Sequence, residues 1–188
     1  MKNIIIFASG SGTNAENIVK FFKSSKIANV SFIVTNNKQA YVLKRVESLN
    51  VKSLVFDRKD FYETDSVLNF LLNEKPDLIV LSGFLILMPK KIIEKFPKQI
   101  INIHPALLPK YGGKGMYGNK VHQEVIYNKE KETGITIHYV NEKYDEGEII
   151  FQKKCNVDTN DTVDSLAKKI HSLEYEYFPK TIKDLLIA

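Results

Sequence analysis

Asn102 and His104 stand two residues apart in Ile101-Asn102-Ile103-His104-Pro105. On a strand, side chains two apart project from the same face. An amide donor and an imidazole would then lie side by side, with Pro105 ending the strand behind them. Such a pair suits transfer of an acyl group to an amine. Attack on the carbonyl carbon builds an oxyanion, which an amide N–H and a protonated imidazole both stabilise. The imidazole also titrates near working pH and can move a proton. A packed polar pair at a strand end is the plainer use of the same residues, and local pattern alone leaves both open.

Two other segments carry chemistry. Ser9-Gly10-Ser11-Gly12-Thr13-Asn14-Ala15 follows an apolar run and opens a helical one. Glycines there let backbone N–H groups face outward, and a helix N-terminus favours an anion such as phosphate. A tight strand-to-helix turn without ligand fits equally. The loop matches the loose dinucleotide pattern, which wants an acid at the end of the second strand to hold a ribose. Thr35-Asn36-Asn37 stands there instead, so an NAD reading loses its second half. No Gly-Lys-Ser/Thr closes the loop as a P-loop would. The third segment is Tyr144-Asp145-Glu146-Gly147. It reads as an ordinary turn, or as a carboxylate returning to His104 to orient the ring and favour its charged form.

The elements that must position these residues alternate. Apolar strands are expected at Ile4–Ala8, Ser31–Thr35, Lys52–Phe56, Leu78–Leu81 and Ile100–Ile103. Helices are expected at Asn14–Ser24, Ala40–Leu49, Asp60–Glu74 and Lys90–Phe96. Short all-apolar strands separated by helices predict an α/β fold, with a Rossmann-like, mostly parallel sheet covered on both faces. Ligand sites in such sheets lie past the carboxyl ends of the strands, where Asn102 and His104 fall. After His104 comes the glycine-rich loop Tyr111–Gly118. Gly134–Val140 and Glu148–Lys154 then alternate like an antiparallel strand pair added to the sheet. A last helix is expected from about Thr162 to Tyr177, with Pro179 near its end.

Composition bounds the rest. A chain of 188 residues, 44% hydrophobic and 26% charged, fits a single domain over residues 1–188. No apolar run nears the roughly 18 residues needed to cross a bilayer, and Ile4–Phe7 is too short for a signal segment. No membrane partner is expected, and the cytoplasm is the expected location. One cysteine, Cys155, excludes an internal disulfide and any zinc site on paired cysteines. Among His104, His122, His138 and His171 no pair has metal-binding helical spacing, so no metal is expected. His138 reads as a neighbour of the site or as structural, His122 as a surface residue at a helix start. The net charge of +5 comes from scattered Lys and Arg, without a basic block, so anionic small molecules suit it as well as nucleic acid does.

Taken in order, these pieces resemble the phosphoribosylglycinamide formyltransferase family, the folate-dependent enzymes of purine synthesis. Ser9-Gly10-Ser11-Gly12-Thr13-Asn14, Leu81-Ser82-Gly83-Phe84-Leu85, Asn102-Ile103-His104-Pro105-Ala106-Leu107-Leu108-Pro109 and Asp145-Glu146-Gly147 carry the resemblance, which extends from about Asn3 to Pro179. It implies a formyl transfer from 10-formyltetrahydrofolate to the amine of glycinamide ribonucleotide, without a metal and without nucleic acid, by a monomer or homodimer. It implies Asn102, His104 and Asp145 as the catalytic trio. Gly12, Thr13 and Asn14 would hold the nucleotide phosphate, and Glu174 its ribose or amine end. Lys59, Leu85, Ile86, Leu87, Met88 and Asn141, with Asn102 and Asp145, would contact the folate. Two positions depart from the family pattern: Ala106 replaces a usual Ser, and Ile86 a frequent Arg.

Four other functions compete. Formyltetrahydrofolate hydrolase and methionyl-tRNA formyltransferase carry similar Asn-x-His motifs, but with an extra domain for which this chain is too short. A noncatalytic nucleotide-binding module would keep the Gly12 loop and have no need of the Asn102–His104 pair. An NAD-dependent oxidoreductase lacks its ribose acid.

Overall fold

The computed structural model describes all 188 residues. Seven strands, β1 (Lys2–Phe7), β2 (Ala28–Thr35), β3 (Lys52–Val55), β4 (Leu78–Leu81), β5 (Ile100–His104), β6 (Glu132–Tyr139) and β7 (Ile149–Asn156), form one sheet. Their order is β3-β2-β1-β4-β5-β6-β7. The first five are parallel, while β6 is antiparallel to both β5 and β7. The helices are α1 (Thr13–Lys23), α2 (Val42–Leu49), α3 (Arg58–Tyr62), α4 (Ser66–Glu74), α5 (Lys90–Lys95), α6 (Asn119–Tyr127) and α7 (Val163–Ile187). No helix is long and apolar enough to cross a membrane.

Two cores explain the unbroken apolar strands. Ile4, Ile6, Ile101, Ile103, Ile135 and Ile137 face α1, α2 and α7. Ile5, Phe7, Ile79, Leu81 and Ile100 face α3, α4 and α5. Because successive residues point to opposite faces, a strand covered on both sides must be apolar at every position. Each fully buried Ile or Phe side chain contributes roughly 1.5–3 kcal/mol. The alternation also fixes the site. Ile101 and Ile103 point to one core, so Asn102 and His104 both point to the other face.

The structure corrects three expectations. The segment expected as one helix over Asp60–Glu74 is two helices. Thr64 interrupts it: its hydroxyl donates to the Asp60 carbonyl and accepts from Ser66 N, a local alternative to the helical ladder. At its own start, α3 carries a reciprocal capping box between Asp57 and Asp60. The last helix does not stop near Tyr177 but passes through Pro179 to Ile187. Proline removes the N–H that would satisfy the carbonyl four residues earlier. That carbonyl belongs to Tyr175, and Asn17 of α1 donates to it at 2.9 Å. Finally, His122 is not a surface residue at a helix start. Its helix begins at Asn119, and the ring is buried on the face shared with Val121 and Val125.

Candidate active site

The sheet changes direction at β1, because the chain moves to β2 on one side and later to β4 on the other. Such a switch point opens a crevice at the carboxyl ends of the two strands. The Gly10–Asn14 loop leaves β1 there, and Ser82–Leu85 leaves β4. Ser9 ties the two together. Its N–H donates to Gly83 O at 3.0 Å, and its hydroxyl accepts from Leu85 N at 3.1 Å. Gly12 caps α1 with φ +71°, a left-handed conformation. A Cβ there would also meet Val42 Cβ at 2.6 Å, so glycine is required twice over. Beyond the cap, Asn14 Nδ2 donates to Glu174 Oε2 at 2.8 Å. His171 Nδ1 reaches the same oxygen at 2.9 Å. This bond to Glu174 raises the His171 pKa above the ordinary imidazole value, against burial.

The second half of the site is built on the β5–β6 pair. Asn102 lies opposite His138 and His104 opposite Thr136 in the antiparallel register, so these side chains share a face. A bulge between Ile137 and His138 opens the β6–β7 ladder where the aspartate loop begins. The loop folds back over that face. Asp145, at φ +56°, places its carboxylate among Asn102, His104 and His138. One oxygen lies 3.4 Å from His104 Nδ1 and accepts from Gly113 N at 2.9 Å. The other accepts from Asn102 Nδ2 at 3.4 Å and lies 3.6 Å from His138 Nε2. His138 Nδ1 faces the Tyr139 carbonyl at 2.8 Å. A proton on that nitrogen leaves Nε2 of the neutral ring as an acceptor for Asn102, 3.2 Å away. His104 Nε2 in turn faces the Tyr111 carbonyl at 2.7 Å.

The electrostatics follow from burial. His104 is 3% exposed. Burial pulls its pKa below the ordinary imidazole value, while Asp145 and the Tyr111 carbonyl push it up without prevailing. The expectation that the carboxylate favours the charged ring therefore has the right sign but not the larger size. Burial also pushes Asp145 up, yet His104 and the Gly113 amide help hold it below the usual carboxylate value. The resting pair is a carboxylate beside a neutral imidazole.

Both halves open on one cavity of about 570 Å³. Gly12, Thr13, Asn14, Leu85, Asn102, His104, Asp145 and Glu174 line it together. The remaining residues implied by the resemblance stand elsewhere. Met88 and Ile86 pack with the Phe7 core. Leu87 offers its carbonyl to the Tyr62 hydroxyl at 2.7 Å. Asn141 accepts from Lys143 N at 2.9 Å and shapes the aspartate loop. Lys59 is exposed on α3 and outside the cavity wall. Ala106 is fully buried, where a serine hydroxyl would need a partner of its own. The sequence reading missed His122 and His171 in the cavity wall. For His171 a signal existed: it precedes Glu174 by three residues on a helix and so shares its face. No group of three or more His, Cys, Asp or Glu is placed to hold a metal ion.

A glycine loop at a switch point and an Asn–His–Asp cluster on the neighbouring strands are the parts of a group-transfer site. Residues 2–182 match the family described as formyl transferase, and the chain belongs to that family. Within it the likeness is to phosphoribosylglycinamide formyltransferases. The Bacillus subtilis enzyme of that name is 35% identical over 99% of this chain and 95% of its own. A chloroplastic relative from Arabidopsis thaliana is also 35% identical, over 96% of this chain, which spans 64% of that protein. The crystal structure of glycinamide ribonucleotide transformylase 1 from Geobacillus kaustophilus superposes with a TM-score of 0.89 at 32% identity, over 99% of each chain.

Proposed function

We propose that this chain transfers the formyl group of 10-formyltetrahydrofolate to the amine of glycinamide ribonucleotide, in the cytoplasm and in the service of purine synthesis. The observation that carries the reading is the meeting of the Gly12 loop and the Asn102–His104–Asp145 cluster in one cavity. The backbone of Gly12, Thr13 and Asn14, at the N-terminus of α1, takes the phosphate. Glu174, fixed by Asn14 and His171, takes the ribose or amine end. Leu85 and the aspartate loop form the folate wall.

The amine nitrogen attacks the formyl carbon and a C–N bond forms. The Asn102 amide keeps one N–H on His138 and turns the other from its 3.4 Å contact with Asp145 to the oxyanion. His104 is neutral at rest and accepts the proton that the new ammonium must lose. The tautomer for this task carries the ring proton on Nδ1, donated to Asp145, which leaves Nε2 free to accept once it turns from the Tyr111 carbonyl. The imidazolium then stands between a carboxylate and an oxyanion, and both favour its charge. It returns the proton to the folate nitrogen as the second C–N bond breaks. Binding two substrates side by side removes much of the entropic barrier to their meeting.

The test is formation of formylated nucleotide by purified protein given both substrates. Formate release without nucleotide would point to the hydrolase instead. His104→Ala should lower kcat by at least about 10²-fold, within the range for general acid–base catalysis. Turnover equal to wild type would remove the mechanism.

A further inference from the structure

Within the cavity wall, His122 has polar atoms that the protein leaves unused. The ring is 3% exposed and lines the cavity from α6. Its Nδ1 is sealed from solvent without a hydrogen-bond partner. Buried polar atoms are nearly always partnered, and a histidine serving only to fill space could be an aromatic hydrocarbon. Burial lowers its pKa, so the ring is neutral and carries one proton. On Nδ1 that proton would be a buried donor with nothing to accept it. The better tautomer has it on Nε2, which makes the ring a hydrogen-bond donor for the cavity. The charged and titratable groups acting on His122 are Glu174, His171 and His104, all in the wall of the same cavity. It shares that wall with the catalytic histidine and with the Asn14–Glu174 end, where Asn14 Oδ1 is likewise buried without a partner.

We infer that His122 is a substrate-binding residue that donates from Nε2 to an acceptor oxygen of the nucleotide lying between its ribose and its amine. In glycinamide ribonucleotide the amide carbonyl oxygen occupies that place. This rests on the proposed function and adds to it a residue that tells an amide-bearing side chain from one without a carbonyl.

The test pairs His122→Phe, which keeps the ring and removes both nitrogens, with His122→Gln, which returns an N–H at a similar reach. Glycinamide ribonucleotide binding is measured by calorimetry, KM for both substrates by steady-state kinetics, and folding by thermal denaturation. The Phe variant should be as thermostable as wild type or more so. Its Kd and KM for the nucleotide should rise about tenfold, the scale of one lost hydrogen bond. Its KM for the folate should stay within twofold, and Gln should recover most of the nucleotide affinity. Unchanged nucleotide binding in a folded Phe variant overturns the inference and leaves the proposed function standing. Equal losses for both substrates, or no recovery by Gln, overturn it too. Wild-type protein that does not bind the nucleotide overturns both.

Discussion

Replacing Asp145 by Asn removes one charge and keeps nearly the same shape. The amide oxygen can still accept from Gly113 N, so the loop has a reason to stay in place. What is lost is the attraction between the carboxylate and the imidazolium that forms as the formyl group is attacked. At 3.4 Å that pair is worth about 5 kcal/mol at an effective dielectric of about 20. The carboxylate is 11% exposed, so little water screens it, but reorientation of Asn102 and His138 will recover part of the loss. Taking about half gives roughly 2.5 kcal/mol, or a fall in kcat on the order of 10²-fold. The pH profile supplies a second reading. The neutral ring is the active form at rest, so kcat/KM falls as pH drops through the His104 pKa, which burial places below the ordinary value. Asp145 is one of the groups that raise this pKa, so Asp145→Asn should move the acid limb to still lower pH. Stopped assays of formylated nucleotide from about pH 5 to 9 would measure both effects. A loss under about fivefold, or an acid limb displaced upward, would refute the claim that the carboxylate works by stabilising the imidazolium.

The other predictions concern single parts of the site. Gly12→Ala forces a side chain into the left-handed region and against Val42, so it should cost about 2–4 kcal/mol in stability and raise the nucleotide KM, read by denaturant unfolding and kinetics. His138→Leu leaves the Asn102 amide without the acceptor 3.2 Å away, and should lower kcat about tenfold with KM for both substrates within about threefold. Lys59→Ala, on an exposed residue outside the cavity, should leave the folate KM within about twofold; a tenfold rise would restore it as a folate contact.

The strands were legible because burial on both faces demands unbroken apolar runs, as in Ile4–Phe7 and Leu78–Leu81. The Asn102–His104 pair was legible because period-two geometry is local. Its third member was not. Asp145 is 41 residues beyond His104, and its reach depends on the bulge at Ile137/His138 and on a left-handed backbone at Asp145 itself, neither of which residue type announces. The end of α7 was misread for a similar reason: Pro179 breaks a helix only if Tyr175 O goes unsatisfied, and the Asn17 side chain that satisfies it comes from 158 residues away. His122 was misread because a polar residue is assumed to face water, although Val125, three residues on, marks its face of α6 as buried.

The same contrast explains how the site is divided. The nucleotide end hangs on the β1–α1 turn, where a left-handed glycine and a helix N-terminus form from neighbouring residues. The reaction centre needs the antiparallel addition of β6 and β7. A sheet that stopped at β5 would still present Asn102 and His104 on one face. His138 orients the Asn102 amide, and it arrives only because β6 pairs with β5 in the register that puts it opposite Asn102. Asp145 arrives only because the loop from β6 to β7 turns back over that face. A one-residue slip of β6 would move both His138 and Thr136 to the opposite core and put Ile137 against Asn102 or His104. The register is held by apolar Ile135 and Ile137 on the far face, both fully buried. The packing of that hydrocarbon core thus sets the acceptor that aims the catalytic amide.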